Sequence, residues 1–261
     1  APVFTERFFV AKKRSLAPKS IPAYHWIMQK IAIFDIDGTI FRSSLFTELL
    51  EALVEAKVFP ASAKNSYEKD YRRWLNRKGD YQTYLNAAVD SFMKHIPGVP
   101  YKDFISVGEK VVQEHKDEVY AFTRDLLKDL KKKGYFLLAI SQSPKGVLDK
   151  FCAHLGFDKV YGRFYEIGPE DQLTGKIADL HLIANKANIV KRAVEKSGLT
   201  LKGSIAVGDT EGDIPMLEMV DTPICFNPNK LLYRHAKING WKVVVERKDV
   251  IYEIESGKKK K

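Results

Sequence analysis

The hydrophobic positions of this chain form short continuous runs separated by stretches with helical spacing. The continuous runs have strand length and contain β-branched residues, which predicts strands buried on both faces. They lie at residues 31–34, 135–140, 204–207, 224–226 and 243–245. Helical patterns at residues 145–155, 187–196 and 213–219 lie between most of them. Strands that alternate with helices predict an α/β fold with a parallel sheet.

The first two predicted strands are separated by about 95 residues without a strand pattern, far more than a crossover helix needs. Apolar residues in this segment follow helical spacing, as at Leu45, Leu49 and Leu53, and residues 81–95 and 107–130 also have helical patterns. We therefore predict a helical domain at residues 43–120, inserted into a catalytic core made of residues 28–42 and 121–250.

The composition, 45% hydrophobic and 29% charged, is that of a folded protein and not of a disordered one. No apolar run approaches the roughly 18 residues that span a bilayer, so a membrane is not an expected partner. Cys152 and Cys225 lie far apart and form neither a disulfide framework nor a zinc motif. Two reduced cysteines are typical of a cytoplasmic protein, which is the location we predict.

The formal net charge of +10 raises the question of nucleic-acid binding. Residues 1–27 carry +4 and residues 258–261 another +4, which leaves only +2 for the rest of the chain. We predict a basic N-terminal extension at residues 1–27, ahead of Met28 as a potential natural start, and a lysine-rich tail at residues 251–261. Nucleic acid is therefore not an expected partner of the nearly neutral core, although binding through the two basic tails stays an alternative.

Polar side chains follow three of the predicted strands. Asp35 and Asp37 follow the first strand, Ser141 follows the next, and Asp209 with Asp213 follows a later one. Ligands of open α/β sheets bind beyond the carboxyl ends of the strands, so these residues are expected to share one site. Four carboxylates in one crevice repel one another unless a hard cation neutralises them, and oxygen ligands favour Mg²⁺.

A carboxylate can attack phosphorus to give an aspartyl-phosphate that water later hydrolyses, which is the role we predict for Asp35. Asp37, beyond a turn that Gly38 permits, would protonate the leaving oxygen and then activate the water. Ser141, ahead of a helix, and Lys186, at the start of another, would hold the remaining phosphoryl oxygens.

Each of these residues also has a simpler structural interpretation. Asp35 and Asp37 alone fit a solvated turn, and Ser141 alone fits a helix cap. Taken alone, Lys186 could be a solvated lysine at the start of a helix. Asp213 could be an acid at a helix start, where its charge complements the helix dipole. The order and spacing of all the motifs favour the functional interpretation over these alternatives.

The motifs, in this order, resemble those of the haloacid dehalogenase superfamily of phosphatases. The matching positions are Asp35-Ile-Asp37-Gly-Thr39, Ser141, Lys186 and Gly208-Asp209 with Asp213. Lys186 is preferred to Lys191 because its distance of 23 residues from Asp209 is similar to that in phosphoserine phosphatases. Further likenesses, such as Ser141-x-Ser143-Pro144, point to the phosphoserine-phosphatase-like subfamily IB. The resemblance implies a Rossmann-like parallel sheet core with an inserted helical C1-type cap.

The resemblance also implies how the metal is held: by the carboxylate of Asp35, the backbone carbonyl of Asp37 and the carboxylate of Asp209. Asp213 would orient a metal-bound water. In having an acid at position 37, this chain resembles the phosphatases and mutases of the superfamily. One position differs from phosphoserine phosphatases, which have a substrate-binding Glu where this chain has Ser44, and this difference argues against phosphoserine as substrate.

Together these features predict a Mg²⁺-dependent phosphatase that hydrolyses a small phosphorylated metabolite through an aspartyl-phosphate. A small substrate is expected because a cap over the site leaves little room for a polymer. A phosphomutase or phosphotransferase shares the same intermediate and is the first alternative; the absence of inorganic phosphate release would identify it.

Overall fold

The computed structural model describes residues 28–254, and an eight-stranded sheet forms the centre of this part of the chain. The strands are β1 Lys30–Asp35, β2 Phe136–Pro144, β3 Lys159–Ile167, β4 Leu173–Ala178, β5 Thr200–Gly208, β6 Thr222–Phe226, β7 Lys242–Arg247 and β8 Val250–Ile254. Their order in the sheet is β4-β3-β2-β1-β5-β6-β7-β8. The six inner strands run parallel, and the two outer strands run antiparallel to their neighbours.

Helices connect the strands and cover both faces of the sheet. They are α1 Leu45–Glu55, α2 Glu68–Leu75, α3 Tyr81–His95, α4 Tyr101–His115, α5 Ala121–Lys132, α6 Lys145–Ala153, α7 Leu180–Ile183, α8 Lys186–Ser197, α9 Ile214–Leu217 and α10 Lys230–Asn239. Two 3₁₀ turns, Ala61–Ser66 and Glu211–Asp213, complete the set within the described residues.

Strand β1 occupies the centre of the sheet and is buried on both faces. Ala32 and Phe34 belong to the hydrophobic cluster on one face, and Ile31 and Ile33 belong to the cluster on the other. All four side chains are fully buried. Because alternate residues of a strand point to opposite faces, a strand between two helical layers must be apolar throughout, as this one is.

Five helices, α1 to α5, lie between β1 and β2, where the sequence predicts helices only. Aromatic rings hold them together: Phe92 of α3 lies 5.3 Å from Phe46 of α1 and 5.4 Å from Tyr165 of β3 (ring centroids). The single helical pattern predicted for residues 107–130 is wrong, because α4 ends at His115 and α5 begins at Ala121. Between them Val119 forms a β-bridge with Phe41.

Several elements were missing from the sequence-based interpretation. Strands β3, β4 and β8 and helix α10 were not predicted. Residues 251–254, assigned to the lysine-rich tail, form most of β8, where Tyr252 pairs with Val245 of β7. The rest of that tail and the N-terminal extension lie outside the described residues. Among the helices of residues 28–254, none combines the length and the apolar character that crossing a bilayer requires.

Candidate active site

The ends of β1 and β5 bring acidic residues together at one edge of the sheet. Asp35 ends β1, and Asp209 directly follows β5. β1 pairs in parallel with both β2 and β5, so the carboxyl ends of all three strands meet there. Carboxylate oxygens of Asp35, Asp209 and Asp213 lie within 4.8 Å of one another.

The loop after β1 passes close to this group because of Gly38. The glycine has φ +78°, and a Cβ at this position would overlap Oδ2 of Asp209. Both the left-handed backbone and the close approach exclude other residues. The carbonyl of Ile36 accepts hydrogen bonds from the amides of Thr39 and Phe41, which closes the turn.

Asp37 is held on both carboxylate oxygens by neutral donors. The amide of Leu45, the first residue of α1, donates to Oδ1 at 2.6 Å. The Ser141 hydroxyl donates to Oδ2, and the Ser143 hydroxyl donates to the same oxygen at 2.9 Å. Burial raises the pKa of Asp37, while these hydrogen bonds act in the opposite direction. The side chain is thus anchored, and its raised pKa suits a group that gives and takes a proton.

Lys186 is buried and bridges two carboxylates. Its Nζ donates to Oδ1 of Asp35 and to Oδ1 of Asp213, both at 2.5 Å. Asn185 caps α8 by accepting from the Ala187 amide at 2.9 Å, which fixes the helix start and with it the lysine. Burial alone would lower the pKa of Lys186, but the two carboxylates outweigh burial and raise it. The lysine is therefore a permanent cation, not a solvated surface residue.

Asp213 combines the structural and the charged role that the sequence left open. Its Oδ2 accepts from the amides of Asp209 and Thr210, each at 3.0 Å, and Thr210 completes a capping box at the following 3₁₀ turn. Its Oδ1 faces Lys186. Gly208 allows this approach, since a Cβ there would lie 2.5 Å from the Cβ of Asp213. Capping thus fixes a fully buried carboxylate beside the lysine.

The negative charge of the site exceeds its positive charge. Burial raises the pKa of Asp35 to about 7, Lys186 opposes this rise, and the neighbouring carboxylates Asp213 and Asp37 add to it. Burial and the same neighbours raise the pKa of Asp209 well above its usual value. Carboxylate oxygens so close together, with one lysine to offset them, fit a hard divalent cation such as Mg²⁺. The carboxylate of Asp37 is instead engaged by the serines.

All six sequence-predicted residues thus lie in one region, linked by contacts through Lys186, Asp37 or the loop after β5. Sequence reasoning did not assign a role to Ser143, although the pattern Ser-x-Ser signalled it: side chains two apart in an extended segment point the same way. The hydrogen bond from the Leu45 backbone amide to Asp37 was not predicted either, because every residue except proline has such an amide.

Known proteins resemble this chain in sequence and in fold. The family model described as haloacid dehalogenase-like hydrolase matches residues 32–218. A histidinol-phosphatase from Neisseria meningitidis is 24% identical over 225 residues, covering 83% of this chain and 99% of the relative. A phosphoserine phosphatase from Archaeoglobus fulgidus is 26% identical over 205 residues, covering 78% of this chain but 54% of the relative.

A solved structure, a phospho-aspartyl intermediate analogue of phosphoserine phosphatase, superposes with a TM-score of 0.57 at 21% identity. The superposition covers 85% of this chain and 95% of that one. At this identity the likeness establishes the fold, so the predicted Rossmann-like α/β core is confirmed.

Proposed function

The chain belongs to the haloacid dehalogenase-like hydrolases, and from that premise we propose that it is a Mg²⁺-dependent phosphatase of small phosphomonoesters. The observation that carries the proposal is the pair of buried aspartates on the loop after β1, held in two different ways. Asp35 faces a lysine, whereas Asp37 faces two hydroxyls. Lys186 favours the ionised form of Asp35 that attacks, and Asp37 is placed for proton transfer.

In the first step an oxygen of Asp35 bonds to phosphorus while the bond between phosphorus and the alcohol oxygen breaks. Oδ1 of Asp35 accepts from Lys186, which leaves Oδ2 for the attack. The alcohol leaves with the proton of Asp37. In the second step Asp37 takes a proton from water, whose oxygen bonds to phosphorus as the bond to Asp35 breaks. Inorganic phosphate is released, and both aspartates return to their starting forms.

Mg²⁺, bound by Asp35 and Asp209 with the backbone carbonyl of Asp37 and with Asp213 nearby, would offset the charge of the phosphoryl oxygens. Ser141 donates to Asp37 in this structure. When it donates to a phosphoryl oxygen instead, Ser143 keeps Asp37 in place, which gives the second hydroxyl a purpose.

The comparisons support the substrate class. The relatives named above are a histidinol-phosphatase and a phosphoserine phosphatase. The helices between β1 and β2 lie where a cap at residues 43–120 is proposed. Neither relative shares enough identity to transfer its substrate to this chain.

The test is a panel of phosphorylated metabolites with Mg²⁺, followed by release of inorganic phosphate. We expect turnover with at least one ester, loss of turnover with a strong chelator, and restoration by Mg²⁺. Asp35→Asn should be inactive because an amide is a poor nucleophile. Substantial phosphate release by that variant would refute the mechanism, and phosphoryl transfer to a second alcohol without free phosphate would establish the phosphotransferase alternative.

A further inference from the structure

The two outer strands of the sheet, β4 and β8, differ in what lies beside them. The chain covers β4 itself: the Leu173 amide donates to the carbonyl of Val99 at 2.9 Å, and the Gly98 amide donates to the carbonyl of Leu173 at 2.8 Å. β8 pairs with β7 on one side, and within the described residues no strand pairs with its other side. The sheet of residues 28–254 therefore has one covered edge and one open edge.

β8 lacks the features that keep an edge strand from pairing with another chain. Proteins protect such strands with lysine, proline or a bulge. The sequence of β8, Val-Ile-Tyr-Glu-Ile, contains neither lysine nor proline, and its register with β7 is unbroken. Its one charged residue, Glu253, is already paired with Lys242 of β7 at 2.6 Å. β4, by contrast, carries the exposed Lys176 and a glycine at position 175 with φ +81°.

Apolar side chains of β8 are in contact with solvent. Val250, Ile251 and Tyr252 are 43%, 45% and 53% exposed. Tyr252 lies opposite Val245 of β7, so its side chain is on the face where Val245 and Ile254 pack against the hydrophobic core. Val250, two residues before Tyr252, lies on that face as well. The apolar layer of the core thus continues along β8 to the open edge.

We propose that β8 pairs with β8 of a second copy of this chain, so that the two sheets join into one across a twofold axis. Edge strands related by such an axis run antiparallel. An axis at Tyr252 sets this residue opposite its copy and pairs all five residues of the strand. Val250 then lies opposite Ile254 of the second copy, and the apolar layers of the two copies meet. The inference is independent of the proposed function.

The charges of β8 favour this register over its neighbours. A register centred on Glu253 would set two carboxylates opposite each other, and one centred on Ile251 would set Glu253 opposite Asp249. Like charges directly opposite each other are destabilising. In the register centred on Tyr252, Glu253 faces Ile251 and keeps its partner Lys242. This self-complementarity identifies a second copy as the strand that fits the edge.

The first measurement is the average molar mass of the full chain, by sedimentation equilibrium at rising protein concentration. Five paired residues on each side are far fewer than the roughly 20 to 30 of a standard interface, so we expect a weak dimer with a Kd of about 1 to 100 µM. The mass should rise from 29.8 kDa towards twice that value.

A lysine at the centre of β8 should prevent the pairing. Tyr252→Lys should keep the mass of a single chain at every concentration, because two lysines would meet at the axis. Leu75→Lys, at a leucine 58% exposed on α2, introduces the same charge away from β8. This control should associate as the wild type does.

A mixing experiment tests the register. Tyr252→Glu should also stay monomeric, since two carboxylates would meet. An equimolar mixture of Tyr252→Lys and Tyr252→Glu should have a higher average mass than either variant alone at the same total concentration, because position 252 faces itself and lysine then meets glutamate. Circular dichroism and urea midpoints establish that both variants are folded.

Hydrogen exchange of the wild-type chain needs no substitution. Backbone amides of residues 250–254 should exchange more slowly at high protein concentration than at low concentration, because pairing protects those that point outward.

Three results would overturn the inference. The first is a chain that stays monomeric at all concentrations; protected amides at residues 250–254 would then show that another part of the same chain covers the edge. The second is association that Tyr252→Lys leaves intact, which would place the interface elsewhere. The third is association that both substitutions abolish and mixing does not restore, because position 252 would then not face its copy.

Discussion

Replacement of Asp37 by asparagine should separate the two chemical steps of the proposed reaction. The structure indicates that the substitution is tolerated. An amide oxygen can accept from the Leu45 amide as Oδ1 does now, and the amide NH₂ then points to Ser141 and Ser143. The two hydroxyls can rotate to accept instead of donate, so no buried polar group loses its partner. Loss of activity in this variant therefore reports chemistry, not unfolding.

The magnitude follows from the two proton transfers proposed for Asp37. General acid catalysis and general base catalysis each contribute roughly 10² to 10⁴ in rate. An alkyl phosphate needs its leaving oxygen protonated, so the first step slows by about that factor. A 4-nitrophenyl phosphate has a weakly basic leaving group and needs little protonation, so its first step is nearly preserved. The second step, attack by water, slows for both.

Rapid-quench measurements with Asp37→Asn should show a burst of nitrophenol close to one per enzyme, then slow turnover with phosphate retained on Asp35. With an alkyl ester no burst is expected, because the first step is slow as well. The matched control is Ser143→Ala, which removes one hydrogen bond to Asp37 while keeping the acid. Equal slowing for aryl and alkyl esters, without a covalent intermediate, would refute the assignment of Asp37.

Three further predictions concern groups around the site and in the core. Lys186→Met should destabilise the protein by about 3 to 5 kcal/mol in urea unfolding, because two buried carboxylates lose their cation; an unchanged midpoint would contradict the buried ion pairs. Gly38→Ala should lower the free energy of unfolding by at least roughly 1 to 2 kcal/mol, because alanine is strained in the left-handed backbone conformation. The new Cβ should also displace Asp209 and weaken Mg²⁺ binding. Calorimetric titration measures the Mg²⁺ affinity, and an affinity equal to that of the wild type would refute the prediction. Burial raises the pKa of Cys225 to about 12 and raises that of Cys152 further. Ellman's reagent at pH 8 should therefore modify neither thiol until guanidinium unfolds the chain. Rapid reaction of the native protein would show that the thiols are accessible.

The centre of the fold could be predicted because its local pattern and its environment agree. Strand β1 is apolar throughout, and both of its faces are covered by helices. Strands towards the two edges lack such a pattern: β3, which lies next to the edge strand β4, contains Gly162 and charged residues, and the edge strand β8 exposes Val250 to Tyr252. A strand at or near an edge is stabilised by pairing with its neighbour more than by burial. The residue types of a single strand do not show which strand it pairs with.

The break between α4 and α5 shows the same limit in a helix. The helical spacing of apolar residues continues across residues 107–130, which predicts one helix. The structure begins α5 at Ala121 because Glu246 accepts from the amides of Ala121 and Phe122, at 3.0 and 2.8 Å. A cap supplied by a residue on β7 satisfies the free amides as a local cap would, but no pattern near residue 120 indicates it.

The residues of the site could be predicted from the sequence, but the partner of each carboxylate could not. Chain direction alone places the ends of β1 and β5 side by side, so the meeting of Asp35 with Asp209 follows from the parallel sheet. The sequence indicated only that the four carboxylates would repel one another. In the structure, Lys186 donates hydrogen bonds to Asp35 and Asp213, and the two serines donate to Asp37. Among the contacts described, Asp209 has no compensating side chain. That uneven arrangement depends on side-chain rotamers, and it suits two aspartates on one loop to the different chemical roles proposed for them.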